Sequence, residues 1–144
     1  MILKLKVECV RGWFLKETCI RVIEIDENTS LLNLHETIQN AVHFERDHPY
    51  VFYLANGPSP GAQRYLLSES EDWHSIERDF AKIKLTDLYP LGRKKLYYLF
   101  DFGDKWVFEI RKARGAKKPE PDVEYPRVIE SIGPDPVQYP TMGE

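Results

Sequence analysis

The chain has 144 residues and its composition is 42% hydrophobic and 30% charged, which fits one domain with a single hydrophobic core. The net charge of −3 argues against non-specific nucleic-acid binding, which needs an excess of Lys and Arg. No apolar stretch approaches the roughly 20 residues of a membrane span, and the N-terminus lacks the apolar core of a signal peptide. We therefore expect a cytoplasmic protein with no membrane contact, in which Cys9 and Cys19 are free thiols.

The N-terminal residues predict two β-strands. Apolar and charged side chains alternate over residues 2–9, which is typical of a strand with one buried face. Residues 19–25 are rich in β-branched side chains and predict a second strand. Apolar residues do not alternate regularly along this second strand, so we expect a bulge near Val22 or Ile23.

A helix is predicted over residues 31–42, with Thr29 or Ser30 as its N-cap. Its apolar residues recur at helical spacing and His35 shares their face. The residues that form this face are Leu31, Leu34, Ile38, Ala41 and Val42.

The middle of the chain carries weaker patterns. Residues 50–54 predict a short third strand that is apolar on both sides. Residues 71–82 predict a helix with inward aromatic side chains, and residues 85–89 predict one helical turn that Pro90 ends. Residues 56–70, between the third strand and this helix, show no periodicity and are expected to form a loop.

Residues 96–111 predict a central β-hairpin, because Gly103-Asp104 separates two aromatic-rich runs and suits a two-residue turn. This turn would place Asp101 opposite Trp106 and Leu99 opposite Phe108. Alternation would then put the following side chains on one face: Tyr97, Leu99, Asp101, Trp106, Phe108 and Ile110.

The composition changes after the hairpin, since six of the ten prolines follow Gly115. Residues 119–122 read as a linker and residues 125–131 as an edge strand. We expect one α+β domain over residues 1–132 and an extended Pro-rich tail over residues 133–144.

The predicted order β-β-α-β-loop-β-β indicates an α+β fold: a small mixed sheet, or α/β roll, with one main helix packed across it. The predicted core consists of Leu3, Leu5, Val7, Leu34, Ile38, Phe52, Leu99 and Phe108.

Several short motifs, in matching order, resemble one family. They are Leu34-His35 with Ile38-Gln39, Asp47-His48, Leu85-Thr86-Asp87-Leu88, Tyr98 with Asp101-Phe102-Gly103-Asp104 and Trp106, and the closing Tyr125-Pro126, Gly133, Pro136 and Gln138-Tyr139-Pro140. The family is that of the proteins like the third open reading frame of the Ri plasmid, some of which are insertion-element passengers labelled TnpR resolvases.

The resemblance implies a small α/β roll and association with plasmids or mobile elements, but it implies no molecular function. The chain departs from the family pattern at Phe108, where a His is frequent, and after Trp13, where Arg-Arg is usual. A metal or catalytic role that depends on those positions does not carry over.

One constellation of candidate functional or structural residues comprises His35, Asp101, Asp104 and Trp106. A buried carboxylate needs a partner, and the predicted hairpin turns Asp101 towards the helix that carries His35. We therefore expect an Asp101–His35 pair, with Asp104 accepting hydrogen bonds from the turn amides. Metal ligation is the alternative, but no metal-binding spacing motif occurs. The possible ligands are His35, His43, His48, Asp47 and Asp101.

A second candidate is a basic surface formed by Arg111, Lys112, Arg114, Lys117 and Lys118. Such a run can contact nucleic acid or an acidic partner, although few aromatic residues interleave with it. A solvated strand end is the simpler interpretation.

Two familiar activities are not expected. The Asp101-Phe102-Gly103 motif occurs in protein kinases, but the chain is too short for the rest of that machinery. A recombinase needs an activated Ser or Tyr beside phosphate-binding cations, and the N-terminal half offers no such cluster.

The residues leave three hypotheses for function. A non-catalytic interaction domain using Trp13, Trp73 or the hairpin comes first. A nucleic-acid-binding accessory protein and a metal-dependent hydrolase are the alternatives. No cofactor is expected, and a protein is the first partner to consider.

Overall fold

The computed structural model describes residues 1–139, so the last five residues of the predicted tail lie outside the described part. The elements are β1 (Ile2–Arg11), β2 (Ile20–Asp26), α1 (Leu31–Val42), β3 (Tyr50–Ala55), β4 (Tyr65–Leu66), α2 (Trp73–Lys82), α3 (Leu85–Leu88), β5 (Lys95–Phe100), β6 (Trp106–Lys112) and β7 (Arg127–Ile132). Within residues 1–139, none of the helices has both the length and the apolar run that a membrane crossing requires.

The strands form a seven-stranded sheet in the order β4-β3-β5-β6-β1-β2-β7. Each pairing between these strands is antiparallel. The predicted α+β class is confirmed, whereas the expectation of mixed strand directions is wrong. Parallel neighbours need a long crossover connection, and β5 and β6 are instead joined by a short turn.

Helix α1 begins where predicted, because the Ser30 hydroxyl accepts a hydrogen bond from the Asn33 amide at 3.1 Å. The helix ends at His43, which adopts a left-handed conformation with φ 58°. Its apolar face lies on the sheet, and Leu34 and Ile38 are fully buried.

A second main helix, α2, joins α1 on the sheet. The Asp72 carboxylate caps it by accepting from the Ser75 amide at 3.2 Å. The helix buries Phe80 completely and partly buries Trp73. The predicted helix and the following helical turn are confirmed, but the sheet is covered by two main helices rather than one.

The sheet has a helix-covered face and a helix-free face. The main core lies on the helix-covered face, where side chains from five strands meet α1 and α2. The helix-free face carries a smaller cluster, formed by Tyr53, Ala55, Tyr97, Leu99 and Val107. All eight predicted core residues are buried, but Leu99 belongs to the smaller cluster on the opposite face.

The β5–β6 hairpin exists, but its predicted register is wrong by one residue. Phe100 pairs with Trp106 and Tyr98 with Phe108, so residues 101–105 form a five-residue connection. A slip of one residue moves a whole strand to the other face of a sheet. Tyr98 and Phe100 therefore share the helix-covered face with Trp106, and Tyr97 and Leu99 point to the helix-free face.

The C-terminal segment lies against α1 and the residues that follow it. Strand β7 is an edge strand as predicted. The β2–β7 register shifts opposite Val22 and Ile23, but the extra residue is Ile129 of β7. The bulge expected in the second strand is therefore wrong, since β2 pairs with β1 without a shift. Beyond it, Asp135 forms an ion pair of 2.6 Å with the buried Arg21, and its other oxygen lies 2.7 Å from His43 Nδ1. The boundary between a domain and a tail at residue 132 stays a prediction.

Candidate functional site

His35 lies in a buried polar cluster between α1 and the sheet. Its Nδ1 is 2.5 Å from the Tyr98 hydroxyl, and its ring stacks on Tyr50 with centroids 3.7 Å apart. The Gln39 amide donates to the same hydroxyl at 2.9 Å. That amide nitrogen can only donate, so Tyr98 accepts from Gln39 and keeps its own proton for a bond to Nδ1 of the His35 tautomer that is protonated on Nε2.

The cluster is held in its neutral form. Burial, with a smaller effect from Arg46, lowers the pKa of His35 to about 4. Burial also raises the pKa of Tyr98 well above its usual value, and the Gln39 hydrogen bond opposes this only in part. These groups are 5% and 0% exposed, so the geometry suits a structural polar network better than acid–base chemistry.

The predicted Asp101–His35 pair does not form, since the register slip leaves Asp101 in the hairpin connection. One Asp101 oxygen accepts from the amides of Gly103 and Asp104, at 3.1 and 3.2 Å. The other lies 3.4 Å from Nε2 of His48. The role of turn acceptor expected for Asp104 therefore belongs to Asp101, which is buried and adopts φ 63°.

The tip of the hairpin meets a chain of polar groups from the C-terminal segment. His48 Nε2 lies 2.7 Å from the Tyr139 hydroxyl, which donates to Asp47 at 2.6 Å. The Gln138 amide also reaches Asp47, at 3.3 Å. Within residues 1–139, no group of three or more His, Cys, Asp or Glu side chains is arranged to hold a metal ion.

Trp106 is fully buried and positions the neighbouring loop. Gly12 passes so close to its indole that a Cβ at residue 12 would lie 2.2 Å from the ring. The next residue, Trp13, donates its amide to the carbonyl of Asp104 at 2.9 Å. The loop after β1 is thereby tied to the hairpin tip, and the Trp13 side chain is left 79% exposed.

Trp13 stands beside a groove of about 830 Å³ on the helix-free face of the sheet. The floor comes from Val10, Leu99 and Val107, which belong to or pack on the smaller hydrophobic cluster. Phe102, which is 48% exposed, contributes a second aromatic side chain to the lining. Exposed aromatic groups around an apolar floor are typical of a binding surface.

Three cations line the same groove: Arg11, Arg64 and Lys105. Arg64 also lies over the Tyr53 ring, 4.6 Å from its centroid. In the part of the chain that the structure describes, none of the three forms an ion pair. Asp104 is the acid among the lining residues, so the groove has a local positive surplus.

The predicted basic surface is divided by the fold. Arg111 pairs with Glu109 at 2.6 Å, and Lys117 pairs with Glu24 at 2.7 Å. Arg111, Lys112 and Arg114 line one groove at the open end of the hairpin, and Lys117 and Lys118 do not belong to its lining. The run therefore does not form one continuous cationic face.

The sequence named Trp13 as an exposed candidate but not its cationic neighbours. Arg64 follows a stretch without periodicity, and Lys105 was assigned to a paired strand position. Neither residue carries a local signal, because both reach the groove through the fold. Asp101 and Trp106 belong to the predicted constellation, and the structure places Asp101 beside His48 and Trp106 against Gly12.

Comparisons with known proteins agree with this architecture. Residues 2–138 match the family described as plasmid pRiA4b ORF-3-like protein. The fold is similar to a crystal structure of a protein of unknown function, MM3350 from Methanosarcina mazei Go1. The match has a TM-score of 0.64 and 25% identity and covers 90% of this chain and 68% of that one. Among curated proteins, none matches the chain. Because the family match spans nearly all of the described residues, the chain belongs to the plasmid pRiA4b ORF-3-like family.

Proposed function

We propose that the protein is a non-catalytic interaction domain that binds an extended peptide in the groove beside Trp13. The observation that carries this proposal is a large aromatic side chain, 79% exposed, on a backbone fixed by Gly12 and Asp104. An exposed indole on a rigid support loses little conformational entropy on binding. Trp is also among the residue types that contribute most to binding energy at interfaces.

The groove fits a partner of defined chemistry. Its floor of Val10, Leu99 and Val107 suits a large apolar side chain, which Trp13 and Phe102 would flank. The cations Arg11, Arg64 and Lys105 suit carboxylates on either side of that anchor. We therefore assign an acidic peptide segment with one bulky apolar residue as the ligand.

The positions of the other polar groups support binding over catalysis. His35 is hydrogen-bonded to Tyr98 within a buried network, and Asp101 is engaged by two turn amides. Neither group faces the groove, whose ionisable lining consists of three cations and Asp104.

The binding test uses the full chain labelled with ¹⁵N and a five-residue peptide in which one Trp is flanked by pairs of Glu. We expect the largest shifts at the Trp13 indole and at amides of residues 102–107. Trp13→Ala should weaken binding at least tenfold, since a buried interface Trp typically contributes more than about 1.4 kcal/mol.

Leu66→Ala is the matched control, because Leu66 is 53% exposed and lies outside the groove. It should leave the affinity unchanged. Equal affinities of wild type and Trp13→Ala, or shifts confined to another surface, would refute the proposal.

Location is part of the same proposal. We propose a cytoplasmic site of action in association with plasmids or mobile elements, which the family's plasmid origin supports. The cysteines agree with a reducing compartment: Cys9 and Cys19 face each other across β1 and β2, with an amide-to-carbonyl bond of 3.0 Å, yet both are free.

A further inference from the structure

A second groove lies at the open end of the β5–β6 hairpin, away from Trp13. Its volume is about 730 Å³, and its two walls are the connection from α3 to β5 and the end of β6. Pairing of Leu96 with Ile110 brings these walls together. The lining includes Tyr89, Leu91, Ile110, Lys112 and Arg114.

The lining contains five cations and no acidic residue. Two of the cations, Lys95 and Arg111, share the carboxylate of Glu109, at 3.9 and 2.6 Å. The other three, Lys94, Lys112 and Arg114, form no ion pair within residues 1–139. Lys94 is held away from the groove, because its ammonium lies 3.9 Å from the centre of the Tyr65 ring, which is not part of the lining. Lys112 and Arg114 remain as unpaired cations and produce a positive potential that favours an anion.

The two walls of the groove differ in character. Lys112 and Arg114, separated by Ala113, stand on the β6 side, and Tyr89 and Leu91 stand on the opposite connection. Arg can bind two oxygens of one phosphate at once, and Lys adds a point charge. An Arg and a Lys on one wall match the several oxygens of a phosphate group better than a single carboxylate.

The groove also offers an apolar surface beside these charges. Tyr89, Leu91 and Ile110 belong to its lining, and the Lys112 ammonium lies 5.8 Å from the centre of the Tyr89 ring. A ligand that carries both a phosphate and an apolar or aromatic part would use both features.

We propose that this groove is a binding site for a phosphorylated small molecule with an aromatic part, such as a nucleoside diphosphate. Lys112 and Arg114 bind the phosphates. The apolar lining contacts the remainder. The site is separate from the peptide groove, since no residue lines both.

The test titrates the ¹⁵N-labelled full chain with adenosine diphosphate, and separately with inorganic pyrophosphate and a twelve-residue oligothymidylate. We expect adenosine diphosphate to shift amides at residues 92–95 and 110–114, and to bind more tightly than pyrophosphate because only the nucleotide uses the apolar lining.

Charge reversal identifies the site. The double variant Lys112→Glu/Arg114→Glu should bind adenosine diphosphate at least tenfold more weakly, and Lys112→Gln/Arg114→Gln, which introduces no new charge, should weaken it in the same direction. The control Lys16→Glu/Lys118→Glu makes the same charge change with Lys118 in the same basic run but outside the groove. It should leave the affinity within twofold of wild type.

Three results would overturn the proposal. If adenosine diphosphate shifted only amides outside the groove, the site would not lie there. If the groove and control variants lost affinity equally, the binding would be general electrostatic attraction and not a specific site. Tighter binding of oligothymidylate than of the nucleotide, with steep salt dependence, would replace the small molecule by a nucleic-acid strand. The Trp13→Ala variant keeps this groove intact, so the two proposals fail independently.

Discussion

Gly12 lies against the indole of Trp106, so closely that a Cβ there would come within 2.2 Å of Cε3 and 2.4 Å of Cζ3. Trp106 is fully buried between Phe44 and the sheet and has no room to withdraw. The contact therefore fixes the path of the chain from the end of β1 into Trp13. Gly12, which has no side chain, thereby positions the exposed Trp13 at the peptide groove.

Gly12→Ala should destabilise the fold and impair peptide binding together. Overpacking of this kind typically costs about 1–3 kcal/mol, because the neighbours must move to admit the new methyl group. Urea unfolding measures the free energy of unfolding, and the indole resonance of Trp13 reports the loop. Gly57→Ala is the control, since nothing lies within 4 Å of a Cβ at residue 57. If both variants were equally stable, the Gly12–Trp106 contact would not constrain the loop.

Asp101→Ala should lower the free energy of unfolding by about 1–3 kcal/mol, the typical cost of leaving buried hydrogen-bond partners unpaired. The variant removes the acceptor for two turn amides and places Ala at φ 63°, which it adopts poorly. Asp101→Asn should cost less, because Asn retains an acceptor oxygen and tolerates this conformation. Thermal melts that rank Asn below Ala would contradict the proposed role of the turn hydrogen bonds.

Asp104→Asn should cause no loss of stability. Burial, then repulsion from the Asp101 carboxylate, raises the pKa of Asp104, so its charged form is disfavoured in the fold. An uncharged amide at residue 104 relieves that repulsion. The melting temperature at pH 7 should equal or exceed that of wild type, and a clear decrease would mean that the charge of Asp104 has a favourable partner.

The hairpin shows where sequence patterns stop being informative. Both faces of β5 are apolar, so alternation alone does not select a register. The prediction relied on Gly103 to supply a positive φ, but the left-handed residues of the connection are Asp101 and Lys105, with φ 63° and 55°. The error of one residue then turned Tyr98 away from His35 and produced the wrong partner for Asp101.

Local patterns performed better where one local interaction decides the structure. The Ser30 cap and the buried face of α1 both follow from neighbouring residues. The lining of the two grooves combines distant segments, such as Arg64 with Lys105, and no local pattern brings these together. The contacts of Asp135 with Arg21 and His43 are of the same long-range kind.

Tyr98→Phe should lower the free energy of unfolding by about 1–3 kcal/mol. The change removes the donor to His35 and the acceptor for Gln39, both inside the core. Tyr97→Phe is the matched control on the next residue, because the Tyr97 hydroxyl lies 3.5 Å from Glu109, beyond the usual 2.5–3.0 Å range for hydroxyl bonds. Similar losses in the two variants, measured by urea unfolding, would argue against a special role for the His35–Tyr98–Gln39 network.

Finally, His35 should make the fold less stable as the pH falls below about 6.5. In the unfolded chain His35 takes up a proton near its ordinary pKa of 6.5, whereas burial lowers the pKa in the fold to about 4. The unfolded state therefore binds more protons between these two values, and the free energy of unfolding decreases as acid is added. The change in the free energy of unfolding from this one group is at most about 1.4 kcal/mol per pH unit, and it vanishes above the unfolded-state pKa and below the folded-state pKa.

Urea unfolding of wild type and His35→Gln at pH 7.5, 6.5, 5.5 and 4.5 isolates the contribution of His35, because other titrating groups are common to both proteins. The advantage of wild type over His35→Gln should shrink steadily below pH 6.5. A difference that stays constant across the series would mean that His35 titrates alike in the folded and unfolded chains. The interpretation that burial keeps His35 neutral in the fold would then be wrong.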